Sequence, residues 1–179
     1  MEVSRQGTRS LEPGLRPLGL ALVLLLCAAA SHVTAQSRAF DTKELSEYRL
    51  TPQVFQHFAA ASERIAAISA EDEELKARPL FTKEVAVLGD APEMARELES
   101  RLSGHRGLAE ALRSAGISAR EYTTFALTLF GARLAHGFMS TGALRSIPKG
   151  VATHNVEFVA THHEAVSKVL QVLGVEAPS

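Results

Sequence analysis

An all-α fold follows from three features of this sequence. Apolar residues recur in alternating steps of three and four along its longest patterned stretch, Val151 to Leu173. A second stretch, Gly116 to Tyr122, carries the residues that end one helix and start another. The one strand-like run, Leu80 to Leu88, has no second strand to pair with and is read as helix. The expected architecture is a compact antiparallel bundle of four to six helices, with the last two forming a hairpin.

The stretch VATHNVEFVATHHEAVSKVLQVL places Val156, Val159, His163, Val166, Leu170 and Leu173 on one helical face. Phe158, His162, Ala165, Val169 and Val172 widen that face into an arc directed at a core. Glu157, Glu164, Lys168 and Gln171 lie opposite, and Gly174 supplies a left-handed stop. On this projection His163 is a buried core histidine among valines.

Of the 179 residues, 46% are hydrophobic, enough for a real core, and the formal charge is -1. That balance carries neither a nucleic-acid footprint nor a strongly anionic one. Met1 to Gly19 holds Arg5, Arg9 and Arg16, and Leu18 to Ala30 is apolar or small throughout. This run is shorter than the ~20 residues of a membrane span. Val33-Thr34-Ala35 offers the small residues of a signal-peptidase site, so 1–35 reads as a signal peptide cut after Ala35. Cys27 is the only cysteine, and Leu26 precedes it where a lipoprotein motif would have Gly, Ala or Ser. The mature chain, roughly 145 residues, then has neither disulfides nor thiols and suits one core. It is expected to be exported, periplasmic or extracellular, with no membrane span after cleavage.

Residues 36–50 read as an extended, polar leader anchored by Phe40, Leu45 and Tyr48, and 51–174 as a single helical domain with 175–179 as a tail. Thr51 caps a first helix with Pro52 at its first position, and Leu50 staples to Phe55. Val54, Phe55, Phe58, Ala61, Ile65 and Ile68 mark its inner face, while His57 and Glu63 fall off it. The acidic run Glu71 to Glu74 reads as a solvated turn favoured by the helix dipole. Arg78-Pro79 stops the helix that follows. Asp90 and Glu93 form a capping box for a helix through Met94, Leu98 and Leu102. A shorter helix holds Leu108, Ala111 and Leu112. Gly116 ends it, Ile117 folds back on Leu112, and Ser118 with Glu121 starts the next. That helix runs to about Met139 with two apolar stripes, which predicts a central, largely buried position. Ser140 to Gly150 is a loop.

At GISAREY (Gly116 to Tyr122) and NVEFVATHHE (Asn155 to Glu164) the chain resembles small exported all-helical bacterial proteins of families with no assigned function. The resemblance implies an all-helical fold and export, and it carries no catalytic residue across.

Motifs for nucleophilic catalysis, zinc proteolysis, attached haem and phosphate binding are missing, which weighs against an enzyme. Histidine remains: His136, His154, His162 and His163 belong to the last two helices. Pairing those helices across a loop centred near residue 146 sets His136 opposite roughly residue 156. His163 then lies about two turns away, some ~10 Å along the axis. The sharpest candidate site is therefore His136 with His154 and Glu157, a ligand set suited to zinc or a similar divalent ion. Asn155, near a helix start, is expected to satisfy backbone amides. The preferred reading is a non-enzymatic module that binds a protein or a small hydrophobic ligand in a groove between helices. A histidine-dependent metal protein or hydrolase and a structural envelope component are the alternatives. Exported material should begin at Gln36, and N-terminal sequencing that still reads through Leu18 to Ala30 would overturn export.

Overall fold

A computed structural model describes residues 40–81 and 91–175. The signal-peptide segment, Asp90, nearly all of Leu80 to Leu88 and residues 176–179 lie outside the described residues. Within the described residues the protein is all-α, with eight helices and no strand. In chain order these are α1 (Thr42–Glu47), α2 (Pro52–Glu71), α3 (Glu73–Ala77), α4 (Ala91–Gly104), α5 (Arg106–Ser114), α6 (Ala119–Ser140), α7 (Thr153–Thr161) and α8 (His163–Val172).

Three local events raise the number above the expected four to six. Asp41 caps a short helix inside the leader, its carboxylate accepting from the Lys43 amide at 3.0 Å. Asp72 ends α2 and begins α3, accepting from the amides of Glu74 and Leu75. His162 leaves helical geometry at φ −110° and ψ 26° and divides the last helix in two.

The start of α2 and the turn between α5 and α6 match their sequence signals. The Thr51 hydroxyl accepts from the Val54 amide at the start of α2, with Pro52 at the first position. At the end of α5 the Ile117 amide donates to the Leu112 carbonyl and the Gly116 amide to that of Arg113. Gly116 has φ +73°, the left-handed residue this closure requires. A side chain there would also meet the His57 ring at 3.2 Å. Ser118 then accepts from the Glu121 amide to open α6.

α6 is central and packs against α1, α2, α4, α5 and α7. Its first four turns are buried nearly all round, and Phe138 and Met139 in its last turn are exposed. An aromatic cluster joins it to α2. Phe58 lies between Tyr122 and Phe125 with ring centroids at 4.7 and 4.9 Å. Phe55 touches Phe125 and Phe158, which brings α7 into the same cluster. Such contacts add about 0.5–1.5 kcal/mol each beyond the area they bury.

The leader belongs to the helical unit and is no separate arm. Phe40 is buried with Ala95 and Leu127, and Leu45 and Met94 pack on them. The Arg120 guanidinium sits 4.2 Å from the Phe40 ring centroid and bonds Glu44 at 2.7 Å.

His163 departs from its expected place. The imidazole of His162 stacks on Phe158 at 4.3 Å, and its Nδ1 hydrogen bonds the Phe158 carbonyl at 2.9 Å. That carbonyl also receives the His162 amide. The helix breaks there, and of the six residues expected on the inner face His163 is the exposed one. Val166, Val169 and Leu170 are buried, while His163 and Ala165 are exposed. Leu170→Ala should therefore cost about 2–4 kcal/mol in urea unfolding. His163→Leu should stay within ~0.5 kcal/mol, and a loss above ~1 kcal/mol would restore it to the core.

Candidate functional site

Three of the histidines serve the backbone. His57 donates from Nδ1 to the Ala115 carbonyl at 2.7 Å, closing the end of α5 from the middle of α2. His105 accepts the Leu108 amide on Nδ1, which leaves the proton on Nε2 to donate to Asp72 at 3.1 Å. One carboxylate thus caps α3 and, through the imidazole, ties that cap to the start of α5. The Leu75 amide, followed by His105, holds the Asp72 carboxyl below the usual carboxylate range. His162 is engaged at the helix break. The sequence pattern placed His57 off the core face and identified no role for it. Its partner lies 58 residues away.

His136, His154 and Glu157 are the three residues expected to hold a metal. Glu157 is exposed, and His136 and His154 are half-buried. Among the described residues no three His, Cys, Asp or Glu side chains are grouped to hold a metal ion, so these three form no such set. The histidine that meets His136 is His163, with ring centroids 6.2 Å apart. The expected two-turn offset between them is therefore not observed. Burial, then the charges of Arg133 and His163, lower the pKa of His136. His136 Nδ1, His154 Nε2 and Arg133 Nε are buried atoms without a hydrogen-bond partner among the described residues. Each such atom costs about 1–3 kcal/mol relative to a satisfied one.

Asn155 has the most demanding environment of the polar side chains. It is 1% exposed, its Oδ1 accepts from the Leu50 amide at 2.9 Å, and its Nδ2 donates to the Tyr48 carbonyl at 2.8 Å. The expectation that it satisfies backbone groups holds, but those groups lie more than a hundred residues away. Tyr48 in turn donates its hydroxyl to Glu121. Burial, reinforced by the Glu121 bond and charge, raises the Tyr48 pKa well above the phenol range. Glu121 therefore does not complete the capping box expected with Ser118 but receives the leader. Deeper in, the Tyr122 hydroxyl meets Ser62 at 3.0 Å, and burial raises its pKa as well.

Two grooves open between helices. The larger, about 450 Å³, is lined by Leu80, Phe81, Met94, Leu98 and Leu127, with Arg78, Glu97 and Arg101 as its charged members. Arg101 donates to the carbonyls of Arg78 and Pro79, fixing the strap after α3, and Arg78 faces Glu97 at 3.7 Å. The smaller, about 280 Å³, lies between the end of α2 and the end of α8, where Ile65 faces Val172 and Leu173.

Comparison of the chain with protein-family models, curated proteins and solved structures returns no match. Among the described residues no helix is long and apolar enough to cross a membrane.

Asn155→Ala should cost roughly 2–4 kcal/mol, because it strands two buried backbone groups at once. Chemical denaturation at neutral pH measures it, and a loss below ~1 kcal/mol would show that the clamp is dispensable. Asp72 has a folded pKa below its unfolded value of ~3.9. Its contribution is complete above that value and is lost as pH falls through the folded pKa. Asp72→Asn should accordingly lower stability at neutral pH and flatten the acid limb below pH ~4 in thermal melts across pH.

Proposed function

We propose that this chain is an exported, non-enzymatic helical binding module whose ligand is a small amphiphile carrying a carboxylate. The observation that carries the reading is the larger groove. Its floor of Leu80, Phe81, Met94, Leu98 and Leu127 is apolar, and about 450 Å³ falls in the range of small-molecule sites. Its charged members are two arginines against one glutamate, a balance that favours an anionic head group over a neutral or cationic one. The strap from Arg78 to Phe81 is held by Arg101, so one wall is positioned before any ligand arrives. Export rests on the pattern of Met1 to Ala35 alone.

Titration of the protein with laurate, followed by calorimetry below the micellar range, tests the groove. Laurate should bind at a single site. Met94→Trp, which fills the groove with apolar volume, should abolish binding without unfolding the chain. Arg78→Gln should weaken it roughly three- to tenfold, the worth of one exposed charge contact. Absence of saturable binding by the native chain would overturn the reading and leave a structural role. Unchanged binding in Met94→Trp would place the ligand elsewhere.

A further inference from the structure

A second site is built where the C-terminal half of α6 meets the start of α8. Arg133 and His136 are three residues apart on α6 and so lie on the same side of it. Arg133 is half-buried, and its Nε is buried without a partner. The other described arginines either have partners, as Arg64, Arg78, Arg96, Arg101, Arg113 and Arg120 do, or are exposed, as Arg49, Arg106 and Arg145 are. Arg133 alone among them is half-buried with neither a hydrogen bond nor an ion pair, and of its three nitrogens Nε is the one buried without a partner. Beside it, His136 Nδ1 is also buried and unpartnered, and the exposed ring of His163 stands 6.2 Å from that of His136.

We propose that Arg133, His136 and His163 form a binding site for an oxyanion, the phosphate or carboxylate group of a small ligand. The argument is one of charge and donors. A guanidinium is always protonated, and its planar fork of N–H groups matches the spacing of oxyanion oxygens. Half-buried and without a counter-ion, it favours a negatively charged group over a neutral or cationic one. The acids nearest in sequence on α7 and α8, Glu157 and Glu164, are both exposed, and neither makes an ion pair with Arg133. The imidazoles of His136 and His163 supply further donors, and α8 begins at His163 with no side chain capping its first turn. Two imidazoles at this separation also suit a divalent cation, but the guanidinium beside them repels a cation and provides no ligand to it.

Thermal unfolding of the full chain in inorganic phosphate, in acetate and in chloride at matched ionic strength tests the site. An anion at tenfold its dissociation constant should raise the midpoint by roughly 3–6 °C above chloride. Phosphate acting alone would identify a phosphate site, and acetate acting alone a carboxylate site. The gain should vanish in Arg133→Gln and shrink in His163→Gln, an exposed position that leaves the fold unaltered. Circular dichroism establishes that each variant is folded. Equal midpoints in all three salts would overturn the proposal. So would a gain of the same size in folded Arg133→Gln, or a gain with zinc and with neither anion. Laurate held in the groove is told apart from carboxylate at this cluster by the variants, since Met94→Trp fills the groove and Arg133→Gln alters the cluster alone.

Discussion

One buried amide side chain joins the parts of this protein that local sequence cannot join. Asn155 gives its carbonyl to the Leu50 amide and its amino group to the Tyr48 carbonyl. Those two groups flank Arg49 in the link between α1 and α2, where neither helix can satisfy them. The same link sends the Tyr48 hydroxyl to Glu121 and its ring against Phe125, both on α6. Leader, central helix and penultimate helix therefore meet at one backbone segment. Apolar packing alone would tolerate sliding of α7 along its neighbours. A two-point hydrogen bond to fixed backbone groups does not, because any shift leaves an amide and a carbonyl stranded in the core.

Histidine is used in the same way. His57 closes a helix end, His105 opens another and passes its second nitrogen to the cap of a third, and His162 divides the final helix. Imidazole suits this work because one nitrogen donates while the other accepts, so a single ring can serve two backbone positions. In a chain whose described part has no cysteine, such caps and the aromatic cluster around Phe58 do the joining that disulfides do in many small exported domains. This accounts for His57, His105 and His162 and leaves His136 and His154 outside it.

How much was legible follows from the range of each interaction. The joint from Leu112 to Tyr122 was readable apart from the Glu121 carboxylate, which bonds Tyr48, because its backbone hydrogen bonds span no more than five residues and its glycine has one geometric reason to be there. The inner face of α2 and the burial of α6 were readable from periodicity. Asn155 was readable only in kind, since nothing near it in sequence names Leu50 as its partner. His163 follows the break at His162, which no spacing rule announces, and it is exposed where the spacing put it in the core. The candidate metal site rested on pairing two helices across a loop, a register that spacing alone does not fix, and the imidazole beside His136 is that of His163.

The two halves of α6 differ in a way that bears on function. From Tyr122 to Ala132 the helix is dry and closely packed, and the Tyr122 hydroxyl and Thr124 side chain are both hydrogen-bonded. Thr123 is the exception, a small hydroxyl whose cost is modest. Beyond Ala132 the same helix carries an unpartnered guanidinium, an unpartnered imidazole and two exposed apolar side chains, Phe138 and Met139. Stability does not call for them. Leucine at 133 or 136 would extend the stripe of Leu129 and Ala132 and leave no orphan nitrogen. Where local choices otherwise agree with the fold, a cluster that departs from it is where a ligand belongs. Two of the four unpartnered buried atoms lie at the end of α6, on Arg133 and His136. The residue that follows the break, His163, is exposed and stands 6.2 Å from His136, so the irregularity and the cluster lie side by side.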